Sequence, residues 1–367
     1  MTSLSGFPYI TGTGLMVAST GTFKHGRFPA EAEISIAICH FPLTEKTAVQ
    51  LRQIALPFLL LLLGQPLSAH SGDATKRLFI VTTVAPITNI VRNVSGEYAN
   101  VAGIVPDGTD SHTFEPVPGD AKLLETADII IANGLDLELP TLKLAEKITK
   151  GRVRILELGN CILRKEDWQY DFSFPRERGH PNPHLWPNIA LAMRYVEIVR
   201  DELIALDPMH KEGYIANASV YLGKLRKLDK AIFDCVKTIP EKNRKLVTYH
   251  DSFAYFAPRY GMKIIAAIQP SDFSEPGPRE VIRIIKQIRN ENVPAIFGSE
   301  VFPSKIMEQI ARETGVKFID QLSDDALPPP PENSFIGMMA NNMTIMTAAL
   351  GGNPGCMANV DTSNIRY

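Results

Sequence analysis

The sequence predicts an α/β protein of two lobes, each a parallel sheet flanked by helices, joined by a long, rigid backbone helix. Short apolar strand patterns alternate with helical patterns in two blocks, and such alternation is typical of parallel sheets covered by helices. The chain has 367 residues, which suits two domains better than one ordinary core. Its 45% hydrophobic and 21% charged residues indicate a folded globular protein rather than a disordered chain or a coiled coil.

Residues 1–69 are predicted to be a leader. Lys46 and Arg52 precede an apolar run at residues 54–63, and small residues follow up to Ala69. This order of a positive segment, an apolar segment and a small-residue cleavage site is that of an export signal. The run is shorter than the about 20 residues that span a bilayer, so a membrane anchor is the second choice. We expect export to the periplasm.

Two further expectations concern this leader. An export signal normally starts close to the N-terminus, so we expect the N-terminus to be over-extended, with translation starting inside residues 16–50. No cysteine follows the apolar run to accept a lipid, because Ala69 is followed by His70 and Ser71. A soluble periplasmic protein is therefore favoured over a lipoprotein.

The first lobe is predicted to span residues 70–206. Four short apolar runs are predicted strands: Leu78–Val84, Asn100–Val105, Asp128–Ala132 and Val153–Leu156. Three intervening segments with helical spacing are predicted helices: Thr88–Val94, Gly119–Thr126 and Glu138–Thr149. A helical pattern from Pro187 to about Leu206 closes the lobe.

A linker helix is predicted within residues 207–240. After Pro208, the stretch Met209–Val236 has no internal proline, and leucines repeat at helical spacing with charges between them. A helix of about 28 residues would be about 40 Å long at 1.5 Å per residue. Such a helix suits a rigid strut between two lobes.

The second lobe is predicted to span residues 241–350 and repeats the same rhythm. Its predicted strands are Lys245–Tyr249, Lys263–Ala267, Ala295–Phe297 and Val316–Ile319. Its predicted helices are Ser252–Tyr260, Arg279–Asn292, Ser304–Thr314 and Phe335–Leu350. The polar tail, residues 351–367, is expected to fray.

Four residues at predicted strand ends or before a helix are candidate metal ligands. His250 directly follows a strand, His112 follows another across a turn, and Asp320 follows a third, while His184 precedes a helical pattern. In open α/β sheets, ligands bind beyond the carboxyl ends of the strands. Three imidazoles and one carboxylate suit a first-row divalent cation, above all Zn²⁺.

Several motifs in register resemble one known family, the zinc/manganese solute-binding proteins of bacterial ABC importers. The resemblance extends from about residue 78 to about residue 350. It is carried by Ser111–Pro116, Asn182–Asn188, Tyr249–Phe256, Ser274–Arg279 and Ile296–Glu300. It implies a protein that captures a divalent metal between its lobes and hands it to a membrane permease powered by a separate ATPase. It also implies that the linker helix stiffens the clamp.

Three aspartates in one loop, Asp320, Asp324 and Asp325, are candidates for the carboxylate ligand. Asp320 is preferred, since it directly follows the strand and its segment resembles the ligand segment of the family. The loop is longer than usual, which leaves Asp324 as an alternative. His180 lacks the family's Pro-His-x-Trp context and is predicted to be a loop residue or an auxiliary ligand. Asp251 is predicted to lie at a helix N-terminus or to orient an imidazole.

Zinc is the predicted metal, with manganese or iron as the alternative. Three imidazoles and a carboxylate make a low-coordinate site, whereas Mn²⁺ is better served by more oxygen ligands. Manganese binders of the family often carry Glu where this chain has His250. Against zinc, the chain lacks the long His-rich loop of many zinc members, since no His lies between His112 and His180.

Other functional classes are less favoured. The formal net charge of −2 and the lack of a basic cluster argue against nucleic acid as a partner. A zinc hydrolase would keep an open position on the metal, which four protein ligands do not leave, so no catalytic residue and no enzymatic activity are predicted. No Gly-x-x-x-x-Gly-Lys-Ser/Thr loop is present, so the chain is not expected to hydrolyse ATP. A monomer is expected, and an adhesin is a third class that the resemblance allows.

The four cysteines form no Cys-x-x-Cys motif, so no structural zinc knuckle is expected. Cys39 would be lost with the leader. In an oxidising periplasm two of the remaining three can pair, and Cys161 with Cys235 is the predicted pair. The alternative is that all three are buried free thiols.

Overall fold

Two four-stranded parallel sheets form the centres of the two lobes in the computed structural model, which describes residues 77–299, 301, 305–320, 322–331 and 333–366. The predicted leader, residues 1–69, lies outside the described residues. The predicted fold class is confirmed, because each sheet is entirely parallel and helices flank it.

The first sheet has the strand order β2-β1-β3-β4. Its strands are β1 (Leu78–Thr82), β2 (Ala99–Gly103), β3 (Ile129–Ala132) and β4 (Arg154–Glu157). The helices of this lobe are α1 (Ala85–Ser95), α2 (Pro118–Thr126), α3 (Leu139–Thr149), α4 (Leu158–Ile162) and α5 (Ile189–Leu206). Strand β3 reads Ile-Ile-Ile-Ala and is buried along its whole length, as expected of an inner parallel strand covered on both faces.

The predicted linker helix is α6 (Lys211–Thr238), which has 28 residues. Its buried face repeats at helical spacing through Tyr214, Ala218, Leu225 and Ile232, with charged residues on the opposite face. It packs against α5 and α1 of the first lobe and against a helix of the second lobe, Phe335–Ala349. Among the described residues, no helix combines the length and apolar character needed to cross a membrane.

The second sheet has the order β6-β5-β7-β8, which repeats the topology of the first sheet strand for strand. Its strands are β5 (Lys245–Thr248), β6 (Lys263–Ala267), β7 (Ala295–Phe297) and β8 (Lys317–Ile319). Its helices are α7 (Phe256–Tyr260), α8 (Pro278–Glu291), α9 (Lys305–Thr314) and α10 (Phe335–Ala349). Helix α7 begins four residues later than predicted, because residues 252–255 run as irregular chain between β5 and the helix.

The polar tail does not fray as expected. The Asn364 side-chain oxygen accepts hydrogen bonds from the Asn89 and Asn93 amides on α1, at 3.1 and 2.9 Å. The backbone nitrogen of Ile365 donates to the Asn93 side-chain oxygen at 2.7 Å. Lys224 on α6 forms an ion pair with Asp361 at 3.0 Å. These contacts fix the tail across α6 and α1.

The predicted disulfide between Cys161 and Cys235 is wrong. Cys235, near the end of α6, is bonded to Cys356, which lies in a short 3₁₀ turn at Pro354–Met357. The two Cα atoms are 5.4 Å apart, within the normal range for a disulfide. The partner was missed because the tail was expected to be loose, whereas it packs directly on the linker helix.

Candidate metal centre

Three imidazoles and one carboxylate converge between the lobes: His112, His184, His250 and Asp325 each offer one ligand atom, and all four atoms lie within 4.8 Å of one another. His184 Nε2 is 3.1 Å from His112 Nε2, 2.9 Å from His250 Nε2 and 3.8 Å from Asp325 Oδ1. A tetrahedral zinc ion with bonds of about 2.0–2.1 Å would separate its ligand atoms by about 3.3–3.4 Å. The three distances from His184 Nε2 lie on either side of this value, so one cation could bind among the four donors.

His184 is oriented by Asn182, two residues before it. The Asn182 side-chain oxygen accepts from the His184 backbone nitrogen at 3.0 Å and lies 2.8 Å from His184 Nδ1. The Asn182 amide group in turn donates to the Asp251 carbonyl at 2.6 Å, which fixes its oxygen toward the imidazole. Because an amide oxygen can only accept, Nδ1 carries the proton and Nε2 presents its lone pair to the group.

His250 lies just beyond the end of β5, as its position after an apolar run predicts. Its Nδ1 is 2.6 Å from the side-chain oxygen of Gln269, which follows β6. The same argument places the proton on Nδ1 and leaves Nε2 for a metal. Gln269 is an orienting residue that sequence reasoning missed, because nothing local links it to His250, 19 positions away.

His112 lies in the connection between β2 and α2, where Asp110 shapes the turn. The two oxygens of the Asp110 carboxylate accept from the His112 backbone nitrogen at 2.9 Å and from the Thr113 hydroxyl at 3.0 Å. This arrangement is an Asx turn, a local use of Asp that fixes the backbone without a regular element. His112 is only half-buried, whereas the other three members of the group are buried.

Asp325 provides the carboxylate. One of its oxygens, Oδ2, accepts from the Ser111 hydroxyl at 2.5 Å, while Oδ1 faces His184. The neighbouring Asp324 makes different contacts, since its carboxylate accepts from the hydroxyls of Ser252 at 2.6 Å and Ser299 at 3.1 Å. Asp324 thus ties the His250 segment to the end of β7.

The structure does not bring the predicted carboxylate, Asp320, into this group. Asp320 directly follows β8, as expected, but it is exposed, and its carboxylate lies against Gly298, which has no side chain to occupy that space. The chain must run five residues further from the strand end before a carboxylate reaches the imidazoles. The unusual length of this loop was the sequence signal for a later aspartate, but it pointed to Asp324, whose carboxylate is bound by two serines.

The two other residues singled out from the sequence lie outside the group. His180 Nδ1 is 2.7 Å from the Asp136 carboxylate, and both side chains are exposed. The Asp251 carboxylate is buried and accepts from the Ser173 backbone nitrogen at 2.9 Å. Burial, together with the adjacent Asp251, raises the pKa of Asp171 to about 10, so this pair of carboxyl groups holds a proton at neutral pH. The Asp251 carbonyl accepts from the Asn182 amide, and Asn182 in turn orients the His184 imidazole.

Burial and neighbouring charge set the protonation of the metal-free group. Burial, reinforced by His250, holds the pKa of His112 and His184 well below the usual value of 6.5. Burial alone would also lower the pKa of His250, but the nearby Asp324 and Asp325 carboxylates raise it to about 9. Burial raises the pKa of Asp325 to about 6. At neutral pH, His112 and His184 are therefore neutral, whereas His250 is protonated on both ring nitrogens and positively charged.

Aromatic rings line the group. Phe273 stacks on His112 with ring centroids 4.5 Å apart and an angle of 17° between the planes. Phe174 lies 5.5 Å from His112 and 5.7 Å from His184, and Trp186 lies 5.1 Å from His184. The Trp186 indole nitrogen donates to the Asp324 carbonyl at 2.9 Å. This apolar wall limits water access and strengthens the electrostatic interactions inside.

Related proteins bind transition metals. The iron-binding protein YfeA of Yersinia pestis is 32% identical over 288 residues, covering 77% of this chain and 88% of that protein. The manganese-binding lipoprotein MntA of Halalkalibacterium halodurans is 30% identical over 285 residues, covering 77% and 91%. The metal named therefore differs between relatives of similar identity.

Solved structures agree with the fold. The periplasmic zinc-binding protein TroA of Treponema pallidum superposes with a TM-score of 0.69 at 26% identity, over 75% of this chain and 99% of that one. The manganese-bound periplasmic metal-binding protein of Candidatus Liberibacter asiaticus gives a TM-score of 0.66 at 25% identity, over 75% and 100%.

The family described as the periplasmic component A of the zinc-uptake complex matches residues 80–349. Its members are solute-binding proteins rather than enzymes, which confirms the predicted lack of enzymatic activity, and their partners are a metal ion and a membrane permease. On this evidence, the chain belongs to the zinc-uptake component A family and is the metal-binding substrate-binding protein of an ABC importer.

Proposed function

We propose that this protein carries zinc in the periplasm, held between its lobes by His112, His184, His250 and Asp325, and delivers it to its permease. The observation that carries the proposal is the convergence of three imidazole nitrogens and one carboxylate oxygen within 4.8 Å. His112 and His184 are neutral, the Asn182 oxygen fixes the tautomer of His184, and an aromatic wall surrounds the imidazoles, so the group can accept a cation without large rearrangement.

Zinc is favoured over manganese by the number and type of donors. Asp325 Oδ2 already accepts a hydrogen bond from Ser111, so only Oδ1 faces the imidazoles. The carboxylate then serves as a single donor, and the group offers four ligand atoms with nitrogen predominating. Four such donors suit tetrahedral Zn²⁺, whereas Mn²⁺ prefers six positions rich in oxygen. Manganese and iron, which relatives are named for, remain the alternative cargo.

The proposed ligands come from both lobes. His112 and His184 follow elements of the first lobe, and His250 and Asp325 follow strands of the second. A bound metal would therefore join the lobes, and it would replace the proton on His250. Loss of one second-lobe ligand would open the shell, which provides a direct route for release to a permease.

Location and assembly complete the proposal. Residues 1–69 would direct export, and the mature monomer would begin near His70. N-terminal sequencing and mass measurement of the exported protein test this part. Recovery of an intact chain that still carries residues 1–69 would contradict it, and so would a stable dimer in size-exclusion chromatography with light scattering.

Competitive metal binding tests the cargo. The mature chain would be stripped of metal, dialysed against equal concentrations of Zn²⁺, Mn²⁺ and Fe²⁺ under anaerobic conditions, and analysed for metal content. We expect one equivalent of zinc and little of the others. Asp325→Asn should abolish stoichiometric zinc binding, while the matched variant Asp320→Asn should retain it. If Asp325→Asn kept stoichiometric zinc binding and Asp320→Asn lost it, Asp320 rather than Asp325 would be the carboxylate ligand.

A further inference from the structure

The stacking of Phe273 on His112 crosses the cleft between the lobes. His112 belongs to the first lobe, while Phe273 lies between β6 and α8 of the second. The near-parallel rings, 17° apart in angle and 4.5 Å apart in distance, bring Phe273 onto the face of the one half-buried member of the imidazole group. Phe174, from the first lobe, lies 6.0 Å from Phe273 and completes an aromatic cluster over His112.

The backbone of Phe273 is strained. Its φ is +59°, in the left-handed region that bulky residues rarely adopt. Such a conformation persists only where the surroundings enforce it, and it tends to occur at functional sites, where it helps a segment to switch. Stacking on His112 offsets the strain of this conformation, and His112 is on the opposite lobe. When the lobes part, the stack is lost and Phe273 can relax.

The segment that carries Phe273 is short and anchored at its start to the metal group. Gln269, which orients His250, lies only four residues before Phe273. Ser173 of the first lobe donates to the Gln269 carbonyl at 2.6 Å. A turn then follows, in which the Phe273 nitrogen donates to the Pro270 carbonyl at 3.0 Å. The same few residues therefore contact ligands from both lobes.

An open cleft of about 510 Å³ leads to this point, and His112, Phe174 and Phe273 are among the residues that line it. His184 and His250 lie deeper and are buried. An ion that moves along the cleft meets the His112–Phe273 stack before it reaches the other imidazoles. The ring thus stands between solvent and the ligand group.

We infer that Phe273 is a gate on the cleft, a residue that controls the rates of metal entry and exit by stacking on His112, and that its strained backbone favours opening. This inference rests on the proposed function. A gate lowers both association and dissociation rates and changes the equilibrium constant little. A residue that merely positions His112 would change mainly the dissociation constant.

Stopped-flow kinetics with Zn²⁺ test the gate on the mature chain, using a fluorescent chelator in excess for release and zinc mixing for association. Phe273→Ala should raise both rates by about threefold to tenfold, the factor expected for one aromatic pair, with the dissociation constant unchanged within about twofold. Phe273→Tyr, which keeps the ring, should restore wild-type rates. Phe172→Ala, which removes an exposed phenylalanine of the first lobe, should have no effect.

Phe273→Gly separates the ring from the strain, because glycine adopts a positive φ without cost. Phe273→Gly should release zinc as fast as Phe273→Ala. In the metal-free form it should melt at a higher temperature than Phe273→Ala, because the backbone strain is removed. The gate would be refuted if Phe273→Ala kept the wild-type rates. It would also be refuted if the dissociation constant rose while the association rate was unchanged. Failure of the wild-type protein to bind zinc would instead refute the proposed function, and the same titrations report it.

Discussion

His184 Nε2 lies 2.9 Å from His250 Nε2, although His184 belongs to the first lobe and His250 to the second. In each imidazole, Nδ1 faces an amide oxygen, so the two Nε2 atoms point at each other. At this distance they either share a proton or face each other with their lone pairs. At neutral pH the proton is on His250, since the nearby carboxylates raise its pKa to about 9. A divalent cation at this position would take over the role of that proton.

Loss of His250 should weaken zinc binding severely. His250→Ala removes one of four donors and the second-lobe imidazole, so we expect the dissociation constant to rise by at least about 100-fold, more than is typical for loss of an orienting partner. His180→Ala is the matched control, because His180 is exposed and pairs with Asp136. Competition against a zinc chelator of known affinity measures both variants. If the two variants bound zinc with equal affinity, His250 would not be a zinc ligand.

Loss of Gln269 should produce an intermediate effect. Gln269→Ala deletes the oxygen that holds His250 Nδ1, so the imidazole loses its fixed tautomer and orientation. Removal of such a partner typically costs about 10–100-fold in metal affinity. Gln287→Ala is the control, since Gln287 lies in the same lobe but donates to the Ile265 carbonyl rather than to an imidazole. If Gln269→Ala bound zinc like the wild type, orientation by Gln269 would play no part in affinity.

Zinc affinity should depend on pH in a specified direction. The metal requires neutral imidazoles, but burial and the Asp324 and Asp325 carboxylates leave the pKa of His250 at about 9 in the metal-free protein. Between about pH 6 and 9, binding must release one proton, so the affinity should rise about tenfold per pH unit and level off above about 9. Below about 6, where Asp325 also takes up a proton, the slope should steepen.

Calorimetry in buffers of different ionisation enthalpy counts the protons released. A value near one at about pH 7.5 is expected for the wild type and near zero for His250→Ala. A pH-independent affinity between about 6 and 9 would show that His250 is neutral in the metal-free protein, contrary to the charges that surround it.

The disulfide between Cys235 and Cys356 should stabilise the whole molecule. It closes a loop of 121 residues, for which chain entropy predicts a contribution of about 5 kcal/mol, whereas typical measured values are about 2–4 kcal/mol. The double variant Cys235→Ser/Cys356→Ser should therefore melt at a markedly lower temperature. An unchanged melting temperature would mean that the contacts of Asn364 and Lys224 fix the tail without help.

Zinc affinity provides a second measurement on the same double variant. The disulfide contacts none of the proposed ligands, so the affinity should be retained at temperatures where the variant is folded. A large loss of affinity in the folded variant would instead show that the tail sets the distance between the lobes.

The imidazoles could be predicted because each occupies a position that local sequence defines. His250 directly follows an apolar strand, and His184 precedes a clear helix, so the topology of the sheet brings them to one edge. The carboxylate could not be predicted in the same way. Asp320, Asp324 and Asp325 share one irregular loop, and which of them turns inward depends on Ser252 and Ser299 binding Asp324 and on Ser111 binding Asp325.

The disulfide and the orienting groups depend on contacts between distant parts of the chain. Cys356 lies in a segment with no hydrophobic period, and its pairing follows from packing of the tail on α6, which a local pattern does not reveal. Gln269 and Phe273 are also unmarked in sequence, since their roles arise only when the two lobes face each other.

A crystal structure of the mature protein with zinc, with anomalous data collected on both sides of the zinc absorption edge, tests the central claim most directly. We expect one strong anomalous peak between the lobes, about 2.0–2.2 Å from His112 Nε2, His184 Nε2, His250 Nε2 and Asp325 Oδ1. A peak bound by Asp320 or Asp324 in place of Asp325, or one outside the three imidazoles, would contradict the site described above.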